Sequence, residues 1–120
     1  MAYDPEIPPI QVHLCVKDGR AAVNWYETAF GAVETYEQMA EDGERILHAN
    51  LAMFGSEVML HDEFPEFAAD VLSPLSRGGA SLTVTINLTT PTDAFWGARY
   101  GRLRVPFGHV WAFNAPLAAR

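Results

Sequence analysis

The chain has 120 residues, 49% of them apolar, with 8 Lys and Arg against 15 Asp and Glu, which fits one compact domain of ordinary globular composition. A net charge of −7 argues against nucleic-acid binding; no apolar run approaches the ~20 residues that span a bilayer, and MAYDPEIPPI lacks the basic start and apolar core of a secretory leader. The single cysteine, Cys15, closes no internal bridge, so a reducing cytoplasm is the expected compartment.

In chain order, IQVHLCV (10–16) alternates, Ile10, Val12, Leu14 and Val16 against Gln11, His13 and Cys15, which predicts a half-buried strand. Asp18 is placed to cap a helix from Gly19 to Phe30 with an apolar stripe of Val23, Tyr26, Ala29 and Phe30, and Gly31 ends it. Strands are expected over 33–39, 45–54 and 57–61, with turns at EDGE (41–44) and Gly55-Ser56, giving the order βαβββ. Residues 64–80 read as a linker with one helical turn near 66–71. Beyond it, SLTVTINL (81–88) alternates strictly, and strands at 100–105 and 109–114 flank the turn Pro106-Phe107-Gly108. Residues 1–76 carry −11 and residues 77–120 carry +4, so an anionic ligand would favour the C-terminal part, unless the two halves simply complement each other.

Three segments carry a family resemblance: VKDGRAAVNWYETAFGA (16–32), LHANLAMFGSEVMLHDEFPE (47–66) and FWGARYGRLRVPFGHVWAF (95–113). In this order the chain resembles the PhnB-like branch of the vicinal oxygen chelate superfamily, which includes glyoxalase I, bleomycin-resistance proteins and extradiol dioxygenases. The resemblance implies an α+β fold of paired βαβββ modules whose sheets curl around a cleft for a metal, a small molecule, or both. Residues 1–63 would form a complete module and 81–120 a second one cut to about three strands. Relatives of this kind carry roughly twenty more residues, a helix and an edge strand, where TTPTD here runs straight into AFWGARYG.

The resemblance also places four metal-ligand positions: on Gln11, near Leu60, within 81–85, and on Ala112. Two hold hydrocarbon and one a hydroxyl, so the expectation is binding of a small organic molecule without the superfamily's metal, and no cofactor. The alternatives are a divalent metal held by an unusual ligand set using His13 or His48, for isomerase, lyase or dioxygenase chemistry, and a protein-interaction module built on the shortened sheet.

Side-chain parity puts His13 with Gln11 and His48 with Asn50, both pairs toward the cleft, as ligand-binding groups or as histidines satisfied by neighbouring backbone. His61, beside Asp62 and Glu63, is expected at a surface edge, and His109 is expected to cap a hairpin. Trp96, Arg99, Tyr100 and Arg102 are the second ligand-binding group, able to stack on a planar ring and grip a carboxylate; the plain alternative is core packing and surface pairing. Leu82, Val84, Ile86, Trp111 and Phe113, left bare by the missing helix, predict a homodimer through that face.

Overall fold

In the computed structural model, which describes residues 2, 4–88 and 100–115, β1 (His13–Val16) leads into α1 (Gly19–Phe30) through Asp18. The Asp18 carboxylate accepts from Ala21 N at 3.1 Å, satisfying one of the first-turn donors that a helix leaves open. Gly31 stops the helix in the left-handed conformation, φ 68°, which only glycine adopts without strain. The buried stripe of α1 is Ala22, Val23 and Tyr26; Ala29, expected in it, is exposed.

Three strands follow: β2 (Val33–Met39), β3 (Ile46–Met53) and β4 (Ser56–Asp62). The turn between β2 and β3 is organised by Asp42, whose carboxylate accepts from Glu44 N at 2.9 Å and Arg45 N at 3.0 Å. Phe54 and Gly55, both at positive φ (52° and 74°), form the two-residue turn between β3 and β4. The first sheet runs β1-β4-β3-β2, with β1 and β4 parallel and the other pairs antiparallel.

Alternation decides what this sheet buries. Leu14, Val16, Ile46, Ala49, Leu51, Met53, Val58 and Leu60 are buried together with Ala22, Val23 and Tyr26 of α1. The N-terminal part of the predicted first strand differs, because regular pairing begins at His13 and Ile10 stands almost fully exposed. Cys15, expected opposite the apolar set, is also buried, with its thiol donating to Val71 O at 3.6 Å. Burial, with Glu63 and Asp62 adding to it, raises the thiol pKa to about 11, so Cys15 is an unreactive packing residue.

The chain divides into two compact units, 1–73 and 74–120, a boundary that falls inside the segment read as a linker. Residues 64–71 form turns, with Phe67 N donating to Phe64 O at 2.9 Å and Ala68 N to the same carbonyl at 2.8 Å. The second unit opens with α2 (Pro74–Arg77), then β5 (Thr83–Asn87), β6 (Tyr100–Arg104) and β7 (Val110–Asn114) in a sheet of order β5-β7-β6. β5 pairs with β7 in parallel and β6 with β7 antiparallel. Together the two mixed sheets make the α+β fold expected from the sequence.

The bare face predicted for the second unit needs correction. Val84, Trp111 and Phe113 are buried within the single chain, Ile86 is half-buried, and only Leu82, just ahead of β5, is largely exposed at 62%. Register explains part of this: Val84 lies opposite Trp111 and Ile86 opposite Phe113, with Leu103 opposite Trp111 on the other side, so the apolar side chains of three strands shield one another.

Candidate ligand-binding site

Strand register sorts the side chains of the first sheet into two faces. His13 lies opposite Met59 and Cys15 opposite His61 across β1 and β4; Asn50 lies opposite Met59 across β3 and β4; Tyr36 lies opposite Asn50 and Gln38 opposite His48 across β2 and β3. Paired residues point the same way, so His13, His48, Asn50 and His61 share one face. The helix lies on the other, where Asp62 and Ile46 approach Gly19 closely.

On the face away from the helix three imidazoles gather. The His13 ring is 4.6 Å from that of His61 and 5.3 Å from that of His48, centroid to centroid and edge-on in both cases, and the Tyr36 ring lies 6.0 Å from His48. Parity alone had brought together His13, His48 and Asn50. It missed His61, which stands on an interior strand instead of at a surface edge. The signal was present: with the β1-β4-β3-β2 order of a βαβββ module, β4 is flanked on both sides, and its residues on the Met59 parity face the same way as His13.

Hydrogen bonding fixes where the protons sit. His61 Nδ1 is 2.6 Å from Asp62 O; a carbonyl only accepts, so Nδ1 donates to it. His48 Nε2 is 2.6 Å from Asn50 Oδ1; an amide oxygen only accepts, so Nε2 donates to it. His13 is neutral at physiological pH: partial burial, then the nearby His61 and His48, lower its pKa to about 4. Elsewhere in the first unit, Arg20 pairs with Glu34 and Glu37, and Arg45 with Asp42 and Glu66.

The remaining candidates are more dispersed. Gln11 is half-buried just before β1, outside regular pairing. Leu60, at an expected metal-ligand position, is fully buried on the helix side, pairing with Leu14, and Ala112 is fully buried in β7 opposite Arg102. Arg102 is exposed on β6, and Tyr100 is the first residue of that strand. Trp96 and Arg99 lie outside the described residues. His109 does sit in the predicted hairpin, its carbonyl accepting from Val105 N at 3.0 Å; burial lowers its pKa, and its Nδ1 is buried without a hydrogen-bond partner.

No protein-family model matches the chain. It is 32% identical over 136 residues to the uncharacterized protein Mb0911c of Mycobacterium bovis, covering 98% of this chain and 88% of that protein. The identity is the same, 32% over 136 residues, to the uncharacterized protein Rv0887c of Mycobacterium tuberculosis, covering 98% of this chain and 79% of its relative. Among solved structures, the fosfomycin resistance protein FosX of Listeria monocytogenes superposes with a TM-score of 0.66 at 11% identity, covering 91% of each chain. TioX of Micromonospora sp. ML1 gives 0.59 at 24% identity, covering 94% of this chain and 99% of its own. The PhnB protein of Bacillus cereus gives 0.59 at 16%, covering 91% and 100%. At these identities the solved structures establish the fold, the one shared by vicinal oxygen chelate proteins, and the mycobacterial sequences establish kinship: the chain belongs to the family of Mb0911c and Rv0887c.

Proposed function

We propose that the protein binds a small organic molecule on the histidine face of its first sheet, without a metal at the four positions that the superfamily resemblance assigns. The observation that carries this reading is the gathering of His13, His48 and Asn50, joined by His61, on the side of the sheet turned away from the helix. Imidazole and amide groups that share one face beyond their structural bonds are what a small polar ligand needs for orientation. Leu60 and Ala112 offer no lone pair, and Leu60 is turned into the helix side.

A thermal-shift screen of small molecules tests the proposal. A compound at a hundred times its dissociation constant adds about 2.7 kcal/mol, and His48→Ala should abolish the shift. A hit whose shift is unchanged in His13→Ala and His48→Ala would move the site elsewhere, to the Trp96, Arg99, Tyr100 and Arg102 region in the first instance.

The second reading, a metal-dependent enzyme with an unusual ligand set, is favoured by one observation, the His61 ring 4.6 Å from that of His13. Metal analysis of the purified protein decides between the two: a stoichiometric divalent ion lost on His13→Ala selects the enzyme.

The shortening of the second module is supported by length. The alignment with the mycobacterial relatives runs over 136 residues against 120 here, so they carry residues that this chain lacks, as a shortened module would require. A twofold dimer keeps a narrower basis than the sequence suggests, namely exposed Leu82 and half-buried Ile86. Light scattering tests it, a 13.3 kDa particle ruling it out.

A further inference from the structure

In the first sheet β2 is the outermost strand, with β3 as its neighbour. Its register against β3 carries a bulge: Glu34 lies opposite Leu51 and Tyr36 opposite Asn50, so Thr35 is an extra residue. Residues three apart on a regular strand point to opposite faces. Here the extra residue turns Glu34 and Glu37, opposite Leu51 and Ala49, to the same side, the one that faces the helix. There the two carboxyl groups are hydrogen-bonded to each other, and Arg20 of α1 binds Glu37. The guanidinium stops short of Glu34, its Nη1 standing 3.9 Å from Oε2, and that buried oxygen has no donor to accept from.

Two ionised carboxylates only accept, so a hydrogen bond between them requires that one carry a proton. Burial, and then the bond to Glu37, raise the Glu34 pKa to about 7, while Arg20 and the Glu34 donor hold Glu37 below its ordinary value. The proton therefore sits on Glu34, and the pair carries one negative charge opposite one guanidinium. Among the described residues the other charged group acting on the pair is Glu27 of α1; β3 presents Ala49 and Leu51, which do not titrate. Glu57 of β4 is turned to the opposite face, where it accepts from the Thr35 hydroxyl at 3.3 Å. Loss of the proton sets two negative charges against Arg20, adds to the repulsion from Glu27 and ionises an oxygen buried away from water. The element able to yield is β2, flanked by β3 on one side through a ladder interrupted at Thr35 and again between Gln38 and Met39.

On the far side of the strand, Tyr36 faces the other way, its ring 6.0 Å from that of His48 and its hydroxyl 3.5 Å from Gln38 Oε1. We propose that Glu34 and Glu37 form a proton-operated latch between α1 and β2: a proton shared by the two carboxyl groups holds the strand to the helix, and its loss to solvent lets the strand open and carry Tyr36 away from His48. The bond broken is the Glu34 O–H, whose electron pair stays on the carboxylate while the proton goes to water or buffer. This goes beyond the binding proposal and requires no ligand.

The test uses the full chain with no ligand added. Amide exchange over 33–39, expressed as protection relative to the intrinsic rate at each pH, is compared with that of β4, and the side-chain carboxyl carbons of Glu34 and Glu37 are followed by NMR through the same titration. Protection of β2 should fall about tenfold from about pH 6 to about pH 8 while β4 stays level, the change required by a Glu34 pKa of about 7 in the latched state and its ordinary value in the open one. Glu34→Gln, whose amide donates to Glu37 at every pH, should keep β2 protected and abolish the pH dependence. Glu37→Gln, which removes the like charge, should move the Glu34 transition to lower pH. Three outcomes overturn the inference: a Glu34 carboxyl that titrates at its ordinary value of 4.5, wild-type β2 protection that stays level across the range, or a fall in protection that persists in Glu34→Gln.

Discussion

Asp62, the last residue of β4, holds the first residue of α1: its Oδ1 accepts from Gly19 N at 2.8 Å, while Oδ2 accepts from Ile46 N at 2.6 Å. One buried carboxylate thus ties the helix N-terminus, where backbone donors are open and the helix dipole favours negative charge, to the start of β3. Burial raises the Asp62 pKa although both hydrogen bonds oppose it. The next residue back is His61, so the same peptide fixes the core side and the histidine side of the sheet. Asp62→Ala leaves two buried N–H groups without acceptors and should destabilise the first unit by about 2–5 kcal/mol, read from urea unfolding. Asp62→Asn, which keeps one acceptor, should lose less.

Gly19 makes the same contact from the other side. A Cβ there would sit 2.5 Å from Asp62 Oδ2 and 3.1 Å from Ile46 Cβ, so Gly19→Ala should cost about 1–3 kcal/mol although alanine is the better helix former. A melting temperature equal to or above that of the wild type would show that Asp62 can swing away at no cost.

Stability should fall as pH drops through the range from the unfolded His13 pKa of 6.5 to its folded value of about 4. In that window the unfolded chain binds the proton that the folded chain refuses, so acid favours unfolding. His109, also lowered by burial, adds in the same direction. Glu34, raised to about 7 chiefly by burial, acts oppositely: it holds its proton in the folded state, so its contribution is lost as pH rises toward 7. Comparing His13→Gln with wild type isolates the first term. The urea midpoint of the wild type, taken relative to that of His13→Gln, should fall as pH drops from about 6.5 to about 4 and stay level above that window; a difference that rises instead reverses the sign.

Arg45 gathers the loop before β3 and the segment after β4. Its guanidinium binds Asp42 Oδ2 at 2.7 Å, Glu63 O at 3.2 Å and Glu66 Oε1 at 3.0 Å, and stacks over the Phe64 ring at 4.3 Å. These groups are substantially exposed and screened by solvent, so Arg45→Ala should leave global stability nearly unchanged. The sharper readout is local: amide exchange at Phe67 and Ala68, whose N–H groups both bond to Phe64 O, should accelerate while β3 and β4 stay protected.

The βαβββ order, the Asp18 cap and the Gly31 stop were legible because each rests on local chemistry, alternation or capping, which a single sequence displays. His61 was not, since its neighbours Asp62 and Glu63 suggested solvent, and only the tertiary pairing of β4 between β1 and β3 brings it to His13. The role of Asp62 is not legible in the sequence for the same reason: a carboxylate next to another acid looks exposed until two backbone donors are seen to converge on it. Cys15 is buried by Val71, which arrives from the turns after β4, and no periodicity announces a cover supplied by irregular chain. The second sheet shows the converse. The positions of its strands follow from alternation and turns, whereas the burial of Val84, Trp111 and Phe113 depends on what surrounds them in three dimensions.

The parallel pairing of β1 with β4 also has a consequence for synthesis. β1 leaves the ribosome first and β4 last within the first unit, so the opening strand waits without its partner while the helix and two further strands are made. The two ring neighbours His13 and His61 come from these outer segments, and no nascent chain that stops short of β4 brings them together. The histidine face is therefore a property of the finished unit: a fragment ending at the β3–β4 turn can form the β2–β3 hairpin, but it lacks both β1's partner strand and the third imidazole.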